Sequence, residues 1–439
     1  MQRFVVKYFN KIKGNTFIVQ SVNTMILRVI GIITLFGFTL FLTHNYDPKI
    51  IGQYDFIRIF LLVVGSICLL GTDQSILYFT GILKSQGELK KLKEVYLKII
   101  IMILSMCLFT LVLLLLIGED TVSLFFNDKT SYLLIFKSIL LLFFYCITFF
   151  NTEVFRALEA IYIAELYRNT FKYLSVIIGA VVLLNIHKET YLVDAFLIGF
   201  VILSIISSIM IFKKFKKINN GDLISKNEIF SYKFIFTKSY PMAISAMAVF
   251  LLMSFDVLFL KKYKGDATVA YYAVAVKLMT ILSMVINTVN VTISTKIAEL
   301  FSINNEQELK KTLKHSSRLI FFITLPYILL IFMFPEYILN IFGENYIEAK
   351  QALLILIMGQ GICSFFGVAP IYLNMTGRQH LFQNILIGAV IINFILNKFL
   401  IPEYGMNGAA IAFSVSMIFW NLCASVAIYK KDKVKVFLN

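Results

Sequence analysis

The chain has 439 residues, of which 59% are hydrophobic and 15% charged, with 41 Lys and Arg against 25 Asp and Glu for a net charge of +16. Soluble domains carry about a quarter charged residues, and apolar runs of about 20 residues, each enough to cross roughly 30 Å of hydrocarbon, recur here along the whole length. That pattern excludes a soluble fold and a β-barrel of short alternating segments, and it points to an all-α polytopic membrane protein.

In chain order, the basic segment 1–16 leads into an apolar run of full membrane length with no small-residue cleavage site, so it reads as a retained first helix rather than a signal peptide. Twelve spans are expected, near 17–43, 50–83, 95–117, 131–152, 170–186, 191–212, 240–260, 267–298, 318–341, 350–375, 380–400 and 405–429. With the N-terminus placed in the cytoplasm, 28 of the 41 Lys and Arg fall in inside segments, as the positive-inside rule requires, and both termini are expected to be cytoplasmic. The charge is then a topology signal, with attraction to anionic lipid as a second effect, and nucleic acid is not an expected partner. The five cysteines lie singly in apolar runs and the histidines show no paired spacing, so no metal or disulfide role is expected.

The longest polar stretch, about 213–235, reads as a linker between an N-terminal lobe, 1–218, and a C-terminal lobe, 219–439. The halves repeat: "LFLTHNYDPKIIGQY" (40–54) aligns without gaps on "LFLKKYKGDATVAYY" (258–272), "GELKKLK" (87–93) echoes "QELKKTLK" (307–314), and "LFFND" (124–128) faces "IFGEN" (341–345) at nearly the same offset. Six spans per repeat is an even number, so both halves enter the membrane in one direction. Two parallel-repeat six-helix lobes around a central cavity are expected.

Charges inside apolar spans are costly and face a protein interior or a wet cavity. Arg28 stands mid-span in the first helix, on one line with Gln20 and Thr24. Asp55 and Arg58 sit one turn apart in the second, and Asp73 follows Asp55 by five whole turns if the helix is continuous. Lys277 occupies nearly the repeat position of Arg58, Thr288 shares its face, and Asp256 lies near the outer end of the seventh span. Arg28, Arg58 and Lys277 are therefore read as a cationic, substrate-binding set suited to an anionic group; arginine matches phosphate well. Asp55, Asp73 and Asp256 are read as ion-coupling or charge-pairing groups, and Gln20, Thr24 and Thr288 as polar lining. Whether Asp55 and Arg58 form a structural pair or contact substrate is left open by spacing alone. A nucleotide-binding GxxxxGK[ST] loop is absent from the sequence.

The stretches "IFGENYIEAKQALLIL" (341–356), "LNMTGRQH" (373–380) and "IPEYGMNGAAIAFSVSMIFW" (401–420), with "IIGQYDF" (50–56) and "VAYYAVAVKL" (269–278), resemble the polysaccharide transporter branch of the multidrug/oligosaccharidyl-lipid/polysaccharide exporter superfamily. The resemblance covers essentially the whole chain. It implies a flippase, not an enzyme, that moves an undecaprenyl-diphosphate-linked oligosaccharide repeat unit, for O-antigen, capsule or a related glycan, across the bacterial cytoplasmic (inner) membrane by alternating access. It also implies membrane lipids and polysaccharide-assembly proteins such as a polymerase as partners, no cofactor, and coupling to protons or sodium. The alternatives are a multidrug exporter of the same superfamily and a membrane-embedded polysaccharide polymerase or ligase. The sequence lacks the large outer loop expected of a polymerase or ligase.

Overall fold

The computed structural model describes residues 16–218 and 230–434, without the side chains of residues 16–22, Ser245 and Thr295. The Gln20 side chain, residues 219–229 of the expected linker and the basic ends of the chain thus lie outside the described residues.

Regular structure among the described residues is helical throughout. The first run comprises α1 (Thr16–Asn45), α2 (Pro48–Leu69), α3 (Thr72–Ser85), α4 (Leu92–Phe126), α5 (Lys129–Leu140), α6 (Leu142–Ala157), α7 (Ile161–Leu166), α8 (Lys172–Asn185) and α9 (Leu192–Ile218), with a π-turn over Tyr167–Phe171 joining α7 to α8. The second comprises α10 (Tyr232–Leu252), α11 (Phe255–Lys264), α12 (Asp266–Ser302), α13 (Glu306–Met333), α14 (Pro335–Asn340), α15 (Lys350–Ser364), α16 (Ala369–Met375) and α17 (Gln379–Asp432). Helix starts follow local chemistry. Pro48 and Pro335 open α2 and α14, where the missing N–H costs nothing. Asp128 caps α5 by accepting from the Thr130 N–H at 3.0 Å, and Asn305 caps α13 by accepting from the Glu308 N–H at 3.2 Å.

Among the described residues, eight helices are long and apolar enough to cross a membrane, and two bent pairs raise the number to ten. Helix α17, 54 residues long, is broken at Gly405 (φ 54°, ψ −127°) and so supplies two passes. With Ile161–Asn185 as a further pass, the twelve expected spans are accounted for. That pass starts earlier than the expected 170–186, because Glu165 and Arg168, which look like loop residues, sit within helix and are paired. The lipid-facing surface is apolar: on α4, Leu108, Phe109, Val112, Leu115 and Leu116 are all exposed, as a hydrocarbon solvent allows.

The internal repeat persists in the backbone. The left-handed positions Glu159 (φ 59°) and Gly377 (φ 76°) lie 218 residues apart, as do His187 (φ 52°) and Gly405 (φ 54°). The two bent pairs, Lys129–Leu140 with Leu142–Ala157 and Glu344–Ser364 with Ala369–Met375, bend by 48° each. Helices α2 and α12 start at Pro48 and Asp266, again 218 apart. Sequence matches at 217 to 220 and these helix breaks are independent records of one duplication.

The chain divides into two compact units that are not continuous in sequence. The first holds Met1–Asn45, Val64–Leu124 and Asp128–Ile244; the second holds Tyr46–Val63, Phe125–Asn127 and Ser245–Asn439. The sequence led to lobes of 1–218 and 219–439. Residues 46–63, the first part of α2, fall in the second unit, where Asp55 finds Lys277, and the first part of α10, up to Ile244, falls in the first. In the first unit, Tyr96 stacks on Phe150 at 5.5 Å and donates to Asn151 Oδ1 at 3.0 Å, while Asn151 donates to Ser207 at 2.8 Å. In the second, Ile297, Leu313, Ile320, Tyr372 and Ala424 belong to one buried apolar cluster.

Candidate functional site

The buried charges of the second unit gather where α2 meets α11 and α12. Gly52 makes this approach possible, since a Cβ there would stand 1.8 Å from the Asp266 carbonyl oxygen. One turn further along α2, Asp55 is wholly buried. Its Oδ1 accepts from Arg58 Nε at 3.0 Å and its Oδ2 from Lys277 Nζ at 3.0 Å. The Lys277 side chain is 8% exposed and that of Arg58 29%. Two cations thus meet on one buried carboxylate, in a low-dielectric setting where their charge acts strongly. Tyr346, whose buried hydroxyl has no hydrogen-bond partner among the described residues, lies within electrostatic reach of Asp55.

Two further buried carboxylates stand nearby in the same unit. Asp266 pairs with Lys261 at 2.6 Å, both almost fully buried, and accepts from Gln53 at 3.3 Å. Asp256, 1% exposed, accepts from the Tyr272 hydroxyl at 2.7 Å and from the Val257 N–H at 2.9 Å. The first is a neutral ion pair; the second is a carboxylate whose partners are uncharged donors.

The first unit has its own ionic centre. Gly31 lets α1 come close to the π-turn, where a Cβ would stand 2.5 Å from that of Asn169. One turn earlier, Arg28 grips Glu165 with both ends of its fork, Nε to Oε2 at 3.2 Å and Nη2 to Oε1 at 2.9 Å. Asn169 donates to the same carboxylate at 2.8 Å. The Arg28 side chain is 43% exposed and that of Glu165 7%. Glu153 pairs with Arg168 and, at 3.6 Å, with Arg156. Single π-turns inside α-helices are often functional features; this one sets Glu165 and Asn169 against α1.

Arg58 and Lys277 meet on Asp55, which is thus paired with a cation from each half of the repeat. Arg28 is held by Glu165 within the first unit. Asp73 does not continue the Asp55 stripe, because Leu70 (φ 52°) and Gly71 (φ 72°) break the helix before it. It is half-buried at the start of α3 and is electrostatically coupled to Glu153 and Arg168. Thr24 is half-buried on α1, and Thr288 is exposed with its hydroxyl donating to the Met284 carbonyl at 2.7 Å. Sequence reasoning missed Glu165, Glu153 and the Lys261–Asp266 pair. The i, i+4 spacing of Glu165 and Asn169 was the available signal, and it was read as loop. Among the described residues, no group of three His, Cys, Asp or Glu is placed to hold a metal ion.

Comparison with known proteins adds the following. A family model described as polysaccharide biosynthesis protein matches residues 14–295, and the MatE model matches residues 241–399. An uncharacterized membrane protein of Methanocaldococcus jannaschii, MJ1068, is 29% identical over 239 residues, 52% of this chain and 45% of that protein. The chain therefore spans about half the length of this curated relative. Among solved structures, the lipid II flippase MurJ in an inward closed conformation aligns with a TM-score of 0.70 at 16% identity, covering 94% of this chain and 87% of that one. An inward-facing multidrug resistance MATE family transporter aligns with a TM-score of 0.70 at 12% identity, covering 94% and 99%. At these identities the likeness is one of fold.

Proposed function

The chain belongs to the polysaccharide biosynthesis protein family, and from that premise we propose that it is a flippase for a lipid-linked oligosaccharide whose diphosphate is bound by Arg58 and Lys277. The observation that carries this reading is the meeting of two cations, one from each half of the repeat, on one buried carboxylate at 3.0 Å each. A diphosphate brings acceptor oxygens for both cations and shares them with Asp55, so neither the carboxylate nor a cation is left unpaired. Asp55 is then the resting counter-ion that keeps both cations positioned between transport cycles. Fold likeness to a lipid II flippase supports the substrate class, a prenyl diphosphate carrying sugar.

In this account the substrate is an undecaprenyl-diphosphate-linked repeat unit of O-antigen, capsule or a related glycan, moved across a bacterial cytoplasmic membrane by alternating access. Both termini face the cytoplasm, as the distribution of Lys and Arg requires. The protein is a transporter and not an enzyme. It works with surrounding lipid and with polymerase and other assembly proteins, and it uses no cofactor. Protons or sodium drive the cycle; Asp256, a buried carboxylate with uncharged partners, is the group assigned to coupling. Arg28, bidentate on Glu165, is assigned to positioning α1 rather than to the diphosphate.

The MatE match over residues 241–399 favours a second reading, export of a cationic small molecule. Deleting the protein in its host separates the two. Under the first reading one surface glycan disappears and lipid-linked repeat units accumulate on the cytoplasmic side, and Lys277→Met fails to restore it. An unchanged surface with heightened sensitivity to cationic drugs overturns the first reading in favour of the second. Unpolymerised units accumulating outside favour a polymerase.

A further inference from the structure

The first unit holds a pocket of about 330 Å³ that the transport reading leaves unused. It lies where membrane-spanning runs end: one apolar span begins at Leu89 and another stops at Ile218, and both residues line it. Its charged groups are Lys84 from α3, Glu159 from the turn after α6, and Lys214 and Lys217 from the last turns of α9. Lys84 pairs with Glu159. Lys214 and Lys217 stand three apart, on one face of the helix, and neither has a carboxylate partner among the described residues. Thr80, the remaining polar residue of the lining, donates its hydroxyl proton to the Ile76 carbonyl at 2.7 Å. Aliphatic side chains, Leu89, Ala157, Leu158 and Ile218, complete the walls.

Lysine near a helix end ordinarily answers the free carbonyls there. At α3 and α6 those carbonyls are already met. Leu83 and Lys84 accept from the Glu88 and Gly87 N–H groups at 2.8 and 3.2 Å, and Phe155 and Arg156 accept from those of Ala160 and Glu159 at 2.8 and 3.1 Å. Capping of those two helices therefore does not consume the cluster. Three ammonium groups and one carboxylate repel a cation, and a wholly apolar guest leaves Lys214 and Lys217 in mutual repulsion. A neutral sugar brings no charge to offset them. An anion does, and phosphate, with several acceptor oxygens, is a good partner for lysine.

We propose that this pocket binds the phosphate of an anionic lipid headgroup between Lys214 and Lys217. At roughly 30 Å³ for each water, it has room for the phosphate and several waters. Its aliphatic wall, and its place where two spans leave the apolar layer, select a phosphate carried on a lipid over one free in solution. Basic pockets between helices at a membrane surface hold such headgroups. The orientation proposed above puts it on the cytoplasmic side; the binding itself rests neither on that nor on what the protein transports.

The test reads lipid binding rather than transport. The purified full chain in neutral detergent is titrated with phosphatidylglycerol or phosphatidylcholine, with and without inorganic phosphate, and bound lipid is counted by native mass spectrometry. The expected result is a phosphatidylglycerol held at least about tenfold more tightly than phosphatidylcholine and not displaced by inorganic phosphate. Lys214→Gln with Lys217→Gln weakens it about tenfold or more. Lys213→Gln with Lys216→Gln, on the same helix end but outside the pocket lining, leaves it within about twofold. Glu159→Gln, which removes the pocket's carboxylate, tightens it. Equal loss in the two double variants would reduce the effect to general surface charge and overturn the site. Equal retention of the two lipids, displacement by inorganic phosphate, or weaker binding in Glu159→Gln would each overturn it too. If the Lys214 and Lys217 double variant fails to fold, the lipid comparison and Glu159→Gln still decide.

Discussion

The two ionic centres, one in each unit, use the same residue types to opposite ends. In the first unit one guanidinium meets one carboxylate in a bidentate, neutral pair, braced by Asn169. In the second, one wholly buried carboxylate serves two cations, one from each half of the repeat. The first arrangement braces α1 against the π-turn; the second holds two cations together at one buried point. Glu153, with Arg168 and Arg156, places two cations on one carboxylate in the first unit as well, so the complete burial of the shared carboxylate, not the count alone, sets the second centre apart.

The comparison breaks first at Asp55. Asp55→Asn leaves two cations in a buried site without their shared counter-ion and should destabilise the protein by about 3–5 kcal/mol, read as a lower midpoint of thermal unfolding. Adding Lys277→Met to it should recover much of that loss while transport stays absent. Recovery of transport as well would place the substrate elsewhere. Next comes Lys277→Met alone, which leaves Asp55 with Arg58 as its cation in the triad. The fold should survive, and transport should fall by at least about tenfold, the equivalent of one lost charge-assisted hydrogen bond.

The two halves of the repeat offer a third contrast. Gly405 and His187 occupy matching helix breaks at nearly the same positive φ. Gly405→Ala should cost about 1–2 kcal/mol, the penalty for a side chain in this backbone region. His187→Gly should do the reverse and raise the unfolding midpoint. Equal, null effects would mean the breaks are not strained. The smallest effect is expected at the brace. Glu165→Gln should cost about 1 kcal/mol or less, because the arginine it holds is nearly half exposed. Arg28→Glu combined with Glu165→Arg should keep transport; loss of transport in a folded swap would return Arg28 to the substrate path.

What the sequence made legible follows from which signals are local. Apolar run length gave the spans, and the matches near 218 residues gave the duplication. The one-turn spacing of Asp55 and Arg58, with Lys277 at the repeat position, pointed to the charge site. Its third partner emerged because the repeat brings equivalent positions of α2 and α12 together within the second unit. The failures were non-local or conformational. Glu165 and Arg168 resemble loop residues until Arg28 and Glu153 are seen to pair with them. Lys261 lies between the expected spans, and its buried pairing with Asp266 is visible only in three dimensions. Asp73 was placed by counting turns through Leu70–Gly71, where backbone that is not helical interrupts the count. Nothing in the one-dimensional pattern marked Lys84, Glu159 and Lys214 as lining one pocket.

The most direct measurement is equilibrium binding of a prenyl diphosphate to the purified chain in lipid discs, compared between the unaltered protein, Lys277→Met and Glu165→Gln. The account predicts about tenfold or greater weakening for Lys277→Met and little change for Glu165→Gln. Equal affinity in Lys277→Met and the unaltered protein would contradict the claim that the Asp55 triad is where the diphosphate sits.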